Sequence, residues 1–171
     1  MKILYVCYSN KGRSVALAAY TNHFFKRRNI EGIAAESAGI GIENIESLRK
    51  RKIDSASHNT AHLLKEEGID ISDHKIKYVG EVISGSNLIL ATDEMTLVRT
   101  LVEFPDYREN CFLAKRYAGF VSLTELFGPY AESRKLRHPE WTELDLYRDM
   151  LREVKIVSEK VAERLISDIK A

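Results

Sequence analysis
Apolar residues in this chain come in short β-rich runs, and between those runs they recur at helical spacing. Residues 2–6 (KILYV) form a short apolar, β-rich run that predicts a buried first strand. Residues 14–28 carry Val15, Ala18, Ala19, Phe24 and Phe25 at helix-compatible intervals. A second strand is expected over 33–37, opened by Gly32. Residues 39–54 lack a clear period and read as a solvated loop or short helix carrying the basic cluster Arg49-Lys50-Arg51-Lys52. A helix is expected over 55–67, with Gly68 as its C-terminal stop. A short helical piece falls near 75–82, and NLILA at 87–91 reads as a strand. Thr92 or Asp93 is placed to cap a helix running to about Val102, and 111–114 is a fourth strand. Residues 119–139 show no clean period and are expected to be a long loop. The clearest helix spans 141–170, where Tyr147, Leu151, Val154, Val157, Val161, Leu165 and Ile169 recur every three or four residues.

Strands alternating with helices predict an α/β fold in which a parallel sheet is covered on both faces. In such folds ligands bind at the carboxyl ends of the strands, where a strand leads into a helix N-terminus. The first such place is Cys7-Tyr8-Ser9-Asn10-Lys11-Gly12-Arg13-Ser14. Its backbone N–H groups can converge into an anion nest, and the helix N-terminus adds positive potential at the same point. Arg13 offers a planar fork for two phosphate oxygens. The same field favours the nucleophilic thiolate of Cys7, to which the Ser14 hydroxyl can donate. The competing reading makes Cys7 a buried apolar strand cap and Arg13 a solvated first-turn residue.

Composition narrows the setting. A chain of 171 residues fits one domain, 1–171, with core enough to need no disulfide or metal. Net charge is +1, so no bulk electrostatic signature of nucleic-acid binding is present. Two cysteines, Cys7 and Cys111, make no disulfide framework and no CxxC pair. No apolar run reaches membrane-spanning length, and the start of the chain is a poor signal peptide, so a cytoplasmic setting is expected.

The stretch Val6-Cys7-Tyr8-Ser9-Asn10-Lys11-Gly12-Arg13-Ser14 resembles the phosphate-binding loop V-C-x-G-N-x-C-R-S of the low-molecular-weight protein tyrosine phosphatase family. Ser37-Ala38-Gly39 resembles that family's S-A-G, and Gly68-Ile69-Asp70-Ile71-Ser72-Asp73-His74 its G-I-D-x-S-x-H. NLILATD at 87–93 resembles the strand ending in M-D. The family also contains protein-arginine phosphatases and thioredoxin-coupled arsenate reductases. The resemblance implies a flavodoxin-like, doubly wound, four-stranded parallel sheet and a phosphoenzyme mechanism without cofactor or metal. It implies that Cys7 attacks phosphorus and that Arg13 binds the phosphoryl group within a loop of Tyr8, Ser9, Asn10, Lys11, Gly12, Arg13 and Ser14. Asn10, Ser14 and His74 would shape that loop, and Asp93 would be a structural, partly buried carboxylate.

The chain departs from the family at the general acid, which the family carries as Asp in Asp-Pro-aromatic. No Asp-Pro occurs here. Gly128-Pro129-Tyr130 and His138-Pro139-Glu140-Trp141 compete for the position. The family's acidic residue six after the proline and aromatic eight after it are met by Asp145 and Tyr147 from Pro139, whereas Pro129 gives Lys135 and Arg137. The missing acid is therefore placed at His138, with Glu125 and Glu140 as lesser candidates. An imidazole of ordinary pKa ~6.5 can donate a proton near neutrality. Gly12 replaces the second cysteine that some members use for redox protection. Lys11 replaces an apolar residue or the Thr associated with phosphoarginine activity, and is either a contact for a further substrate anion or simply solvated.

The leading expectation is a phosphomonoester hydrolase, a protein tyrosine phosphatase by resemblance, releasing inorganic phosphate from a phosphorylated protein or small phosphomonoester. Nucleic acid and membrane are not expected partners. The alternative is a phosphate- or phosphoprotein-binding domain with impaired turnover. Arsenate reductase and phosphoarginine phosphatase stand behind both, the former because only Cys111 is available for a thiol relay.

Overall fold
A computed structural model describes residues 1–120 and 136–170. Four strands, β1 (Lys2–Cys7), β2 (Ala34–Gly39), β3 (Leu88–Ala91) and β4 (Cys111–Leu113), form one sheet in the order β2-β1-β3-β4. Every neighbouring pair is parallel. The register sets Cys7 opposite Gly39, Val6 opposite Ala91 and Ala91 opposite Leu113, so all four carboxyl ends share one edge.

Strand periodicity divides the core in two. Ile3, Tyr5, Leu88 and Leu90 face one layer with Leu17, Tyr20, Val154, Val157 and Val161. Those partners come from α1 (Arg13–Arg27) and from the last helix, Glu143–Lys170. Leu4, Val6 and Ile89 face the other layer with Val79, Ile83 and Cys111. There the partly buried Leu97 and Leu101 also pack. Both faces are covered, as the continuous apolar strand runs require. This is the expected α/β, doubly wound parallel sheet.

Between β2 and β3 lie α2 (Ile42–Lys50), α3 (His58–Glu66) and the short α4 (Val79–Val82). β3 is followed by α5 (Glu94–Glu103) and a 3-10 turn over Pro105–Asn110. β4 runs into α6 (Ala114–Tyr117), and the long final helix is α7. Residues 42–50, which had no readable period, are helical because Ile45 and Leu48 bury against Ile76 in a small separate cluster. The helix expected over 55–67 starts later, at His58, where the Ser57 hydroxyl caps the Thr60 N–H. Gly68 follows it with φ of +75°, a left-handed stop that glycine adopts without strain.

Asp93, rather than Thr92, caps α5, its carboxylate accepting from the Thr96 N–H at 2.7 Å. α7 is entered through a reciprocal cap in which Thr142 N–H donates to Asp145 and Asp145 N–H donates to the Thr142 hydroxyl. Its buried stripe runs from Leu151 to Leu165, whereas Ile169, counted in that stripe from the sequence, is 60% exposed. Most of the loop expected over 119–139 lies outside the described residues, including Glu125 and Pro129. No helix among the described residues is long and apolar enough to cross a membrane.

Candidate active site
The site begins where β1 ends. Cys7 is the last strand residue, and the chain turns through residues 8–12 into α1 at Arg13. Among the described residues, the N–H groups of Ser9, Asn10, Lys11 and Gly12 donate to no protein acceptor. Amides that stay unpaired beside a helix N-terminus make a concave set of donors suited to an oxyanion.

Asn10 fixes the turn. Its φ is +54°, a left-handed conformation that asparagine tolerates better than most residues, and it is fully buried. Its Nδ2 donates to Ser14 Oγ at 3.1 Å and to Ser37 Oγ at 2.9 Å. Its Oδ1 accepts the Lys77 N–H at 2.9 Å. Its carbonyl takes a bond from His74 Nε2 at 3.1 Å. A carbonyl only accepts, so this bond selects the Nε2–H tautomer of His74. Burial holds the His74 imidazole below its ordinary pKa despite the opposing bond to Asn10, and Lys77 and Lys75 add to the depression.

Ser14 is also fully buried, and its Oγ stands 2.9 Å from Cys7 Sγ. Cys7 is 3% exposed, yet it belongs to none of the apolar core clusters. Cys111 is different, because it sits in the second core layer, where burial pushes its thiol up to about 12. Cys111 is in register with Ile89, and Ile89 with Leu4. The two sulfurs are thus offset by two strands and three residues, roughly 10 Å in each direction, beyond disulfide reach.

Arg13 Nη1 bonds Asp93 Oδ2 at 2.7 Å. Burial drives the Asp93 carboxyl up, but Arg13 outweighs it together with bonds from Thr96 and Thr92, and the net shift is downward. Asp93 therefore orients the guanidinium from the end of β3 while capping α5. Tyr8 completes the wall: its ring lies where a Gly41 Cβ would come within 2.6 Å, and the Arg99 guanidinium sits 5.3 Å from its centroid.

Gly39 is the steric condition for this arrangement. A Cβ there would lie 2.8 Å from the Tyr8 carbonyl oxygen and 3.0 Å from the Asn10 nitrogen. In the sequence Ser37 and Gly39 stand only as part of a matching tripeptide, with no task of their own. Lys77 carries no sequence signal for its role, since a backbone N–H leaves no residue-type trace.

The structure thus brings Cys7, Asn10, Arg13, Ser14, His74 and Asp93 together. His138 belongs to a separate group, with its ring stacked on Trp141 at 4.1 Å and 10° and its Nδ1 3.4 Å from Glu140 Oε1. Among the described residues, no group of three or more His, Cys, Asp or Glu side chains is placed to hold a metal ion.

Comparison with known proteins agrees with this geometry. The low molecular weight phosphotyrosine protein phosphatase profile matches residues 2–171. No curated protein sequence matches the chain. Among solved structures, the low-molecular-weight protein tyrosine phosphatase of T. tengcongensis is 27% identical, with TM-score 0.73, covering 96% of this chain and 99% of its own. The YwlE arginine phosphatase, in a cysteine-to-serine form with a phosphorylated active-site serine, is 20% identical with TM-score 0.77, covering 98% and 97%. Vibrio vulnificus Wzb in complex with benzylphosphonate is 18% identical with TM-score 0.72, covering 95% and 97%. With a profile match over residues 2–171 and a loop of inward amides at the end of β1, this protein belongs to the low molecular weight phosphotyrosine protein phosphatase family.

Proposed function
We propose that the chain hydrolyses phosphomonoesters, with phosphotyrosine on a protein as substrate, through a cysteinyl-phosphate on Cys7. The observation that carries this reading is the loop itself: a thiol 2.9 Å from a buried serine hydroxyl, at the start of a turn whose amides at 9–12 meet no acceptor among the described residues. The phosphoryl oxygens occupy the amide nest, and the Arg13 fork, held from behind by Asp93, neutralises charge on the transferring group. Cys7 thiolate attacks phosphorus while the P–O bond to the leaving group breaks. The tyrosine oxygen takes a proton from His138. Water then attacks the phosphocysteine, His138 accepts its proton, and inorganic phosphate and the Cys7 thiolate are released. Ser14 donates to the sulfur both when it attacks and when it leaves. Glu140 at Nδ1 orients the His138 ring and leaves Nε2 to exchange the proton.

Two relatives lend support. The tyrosine phosphatase of T. tengcongensis favours the substrate class. The serine-substituted arginine phosphatase, with its phosphorylated active-site serine, favours a covalent phosphoenzyme intermediate. A second reading, phosphate binding with impaired turnover, draws on the contacts of His138, which the structure gives to its own segment rather than to loop 7–14. Hydrolysis of aryl phosphates across pH 5–8 separates the two, comparing wild type with Cys7→Ser and His138→Ala. The hydrolase reading predicts turnover that Cys7→Ser abolishes. It also predicts a His138→Ala loss larger for poor leaving groups than for activated ones. Equal background rates in all three proteins support binding without turnover.

A further inference from the structure
Beside loop 7–14 lies a cavity of about 610 Å³ that the catalytic reading does not use. Lys11 forms one wall, residues 53–59 a second, and Glu143 and Tyr147 of α7 the third. The cavity abuts the loop at Lys11, which lines it and whose carbonyl accepts the Ser57 N–H at 2.8 Å. A ligand held by the loop therefore has this space beside it.

The charge pattern is selective. Arg13, the loop's other cation, is tied to Asp93. Close by, Arg49 is bonded to Glu81 and Lys75 to Asp54. Among the described residues, Lys11 has no carboxylate within salt-bridge distance, and neither do Lys50, Arg51 or Lys52 just before the second wall. Among the described residues, the one carboxylate lining the cavity, Glu143, already accepts a bond from the Asn59 amide at 3.3 Å. The remaining lining side chains offer hydroxyls at Ser55 and Ser57 and an imidazole at His58. An uncompensated cation facing a donor-rich pocket next to a phosphate site suits a second anion.

We propose that this cavity is a substrate subsite, and that the favoured substrate is an aryl phosphate carrying a further phosphate or carboxylate, received by Lys11 and His58. Glu143, which also lines the cavity, disfavours an anion brought against it, so the second charge pairs with Lys11. The inference rests on the hydrolase reading above and names its substrate class.

The experiment compares kcat/KM for phenyl phosphate, carboxyphenyl phosphate and phenylene bisphosphate, in wild type, Lys11→Met, Lys11→Glu and His58→Ala. The readout is the ratio of each doubly anionic compound to phenyl phosphate. For a partly exposed charge pair the wild-type ratio should be about three to ten at low salt and should fall towards one at high salt. Lys11→Met should bring it to about one, and Lys11→Glu should invert it. His58→Ala should lower it towards one. A preference confined to one of the two doubly anionic compounds assigns the subsite to phosphate or to carboxylate. A wild-type ratio of one for both, or a ratio that Lys11→Glu does not change, overturns the proposal. If no compound is turned over, the hydrolase reading alone fails. The ratio of Kd values for the same compounds, measured by calorimetry, then decides the subsite by the same criteria.

Discussion
Replacing Asn10 by Ala perturbs the whole loop at one position. The substitution removes three side-chain bonds, to Ser14 Oγ, Ser37 Oγ and the Lys77 N–H. Ser14 retains Cys7 as a partner, but the buried Ser37 hydroxyl and the Lys77 amide lose theirs. Each buried group left unsatisfied costs about 1–3 kcal/mol. Alanine at φ of +54° adds about 1 kcal/mol of left-handed strain that asparagine tolerates better. The expected loss is about 3–7 kcal/mol, a large part of a typical stability of about 5–15 kcal/mol. Asn10→Gly relieves the strain but restores no bond, so it should recover only about 1 kcal/mol of that loss. Urea denaturation of the three proteins measures these differences. Aryl phosphatase assays of the folded fraction should show a loss of about 10²-fold or more in kcat/KM for both variants, because the amides no longer converge. An Asn10→Ala protein within 1 kcal/mol of wild type and fully active would refute the argument that this residue holds the loop.

Gly39→Ala places a Cβ against two backbone atoms of the loop and should cost about 1–3 kcal/mol with a marked loss of phosphate binding by calorimetry; an unchanged Kd would contradict the steric argument. Asp93 has a folded pKa below its unfolded value of ~3.9, so its contribution is full above that value and is lost as pH falls through the folded pKa. Asp93→Asn should therefore lower Tm near neutrality, and the gap to wild type should narrow below about pH 4. His74 also has a lowered folded pKa, so the neutral ring's contribution is full above its unfolded value of ~6.5 and is lost as pH falls through the folded pKa. A Tm-versus-pH scan of His74→Gln should lack the acid-side decline below about pH 6.5 that wild type shows. Alkylation at pH 8 should label Cys7 in the native protein and spare Cys111, whose thiol is held neutral by burial; mass spectrometry of the two cysteine peptides reads the result.

Much of this fold was legible because its strands are short apolar runs bounded by turn residues, and α7 repeats its buried positions over many turns. α2 was not, since a helix burying only Ile45 and Leu48 leaves too weak a period. The 3-10 turn at Pro105–Asn110 buries none of its residues and gives no pattern at all. Ile169 shows the opposite error, where periodicity continued beyond the layer that buries it. At the site, Cys7, Arg13 and Ser14 were readable because their chemistry lies in their side chains and in consecutive order. Ser37, Gly39 and Lys77 act across the sheet edge, through a hydroxyl, an absent Cβ and a backbone amide, and only the fold brings them to the loop. His138 was placed by spacing from a proline, and the structure adds Glu140 and Trp141 as the partners that hold its ring.

Phosphoryl transfer through Cys7 leaves a phosphocysteine on the enzyme between the two half-reactions. Acid quench of wild-type protein during aryl phosphate turnover, followed by peptide mass spectrometry, traps and locates it. A phosphoryl adduct on the Cys7 peptide, missing from Cys7→Ala, is the predicted result. Turnover that persists in Cys7→Ala, or an adduct on any other residue, contradicts it.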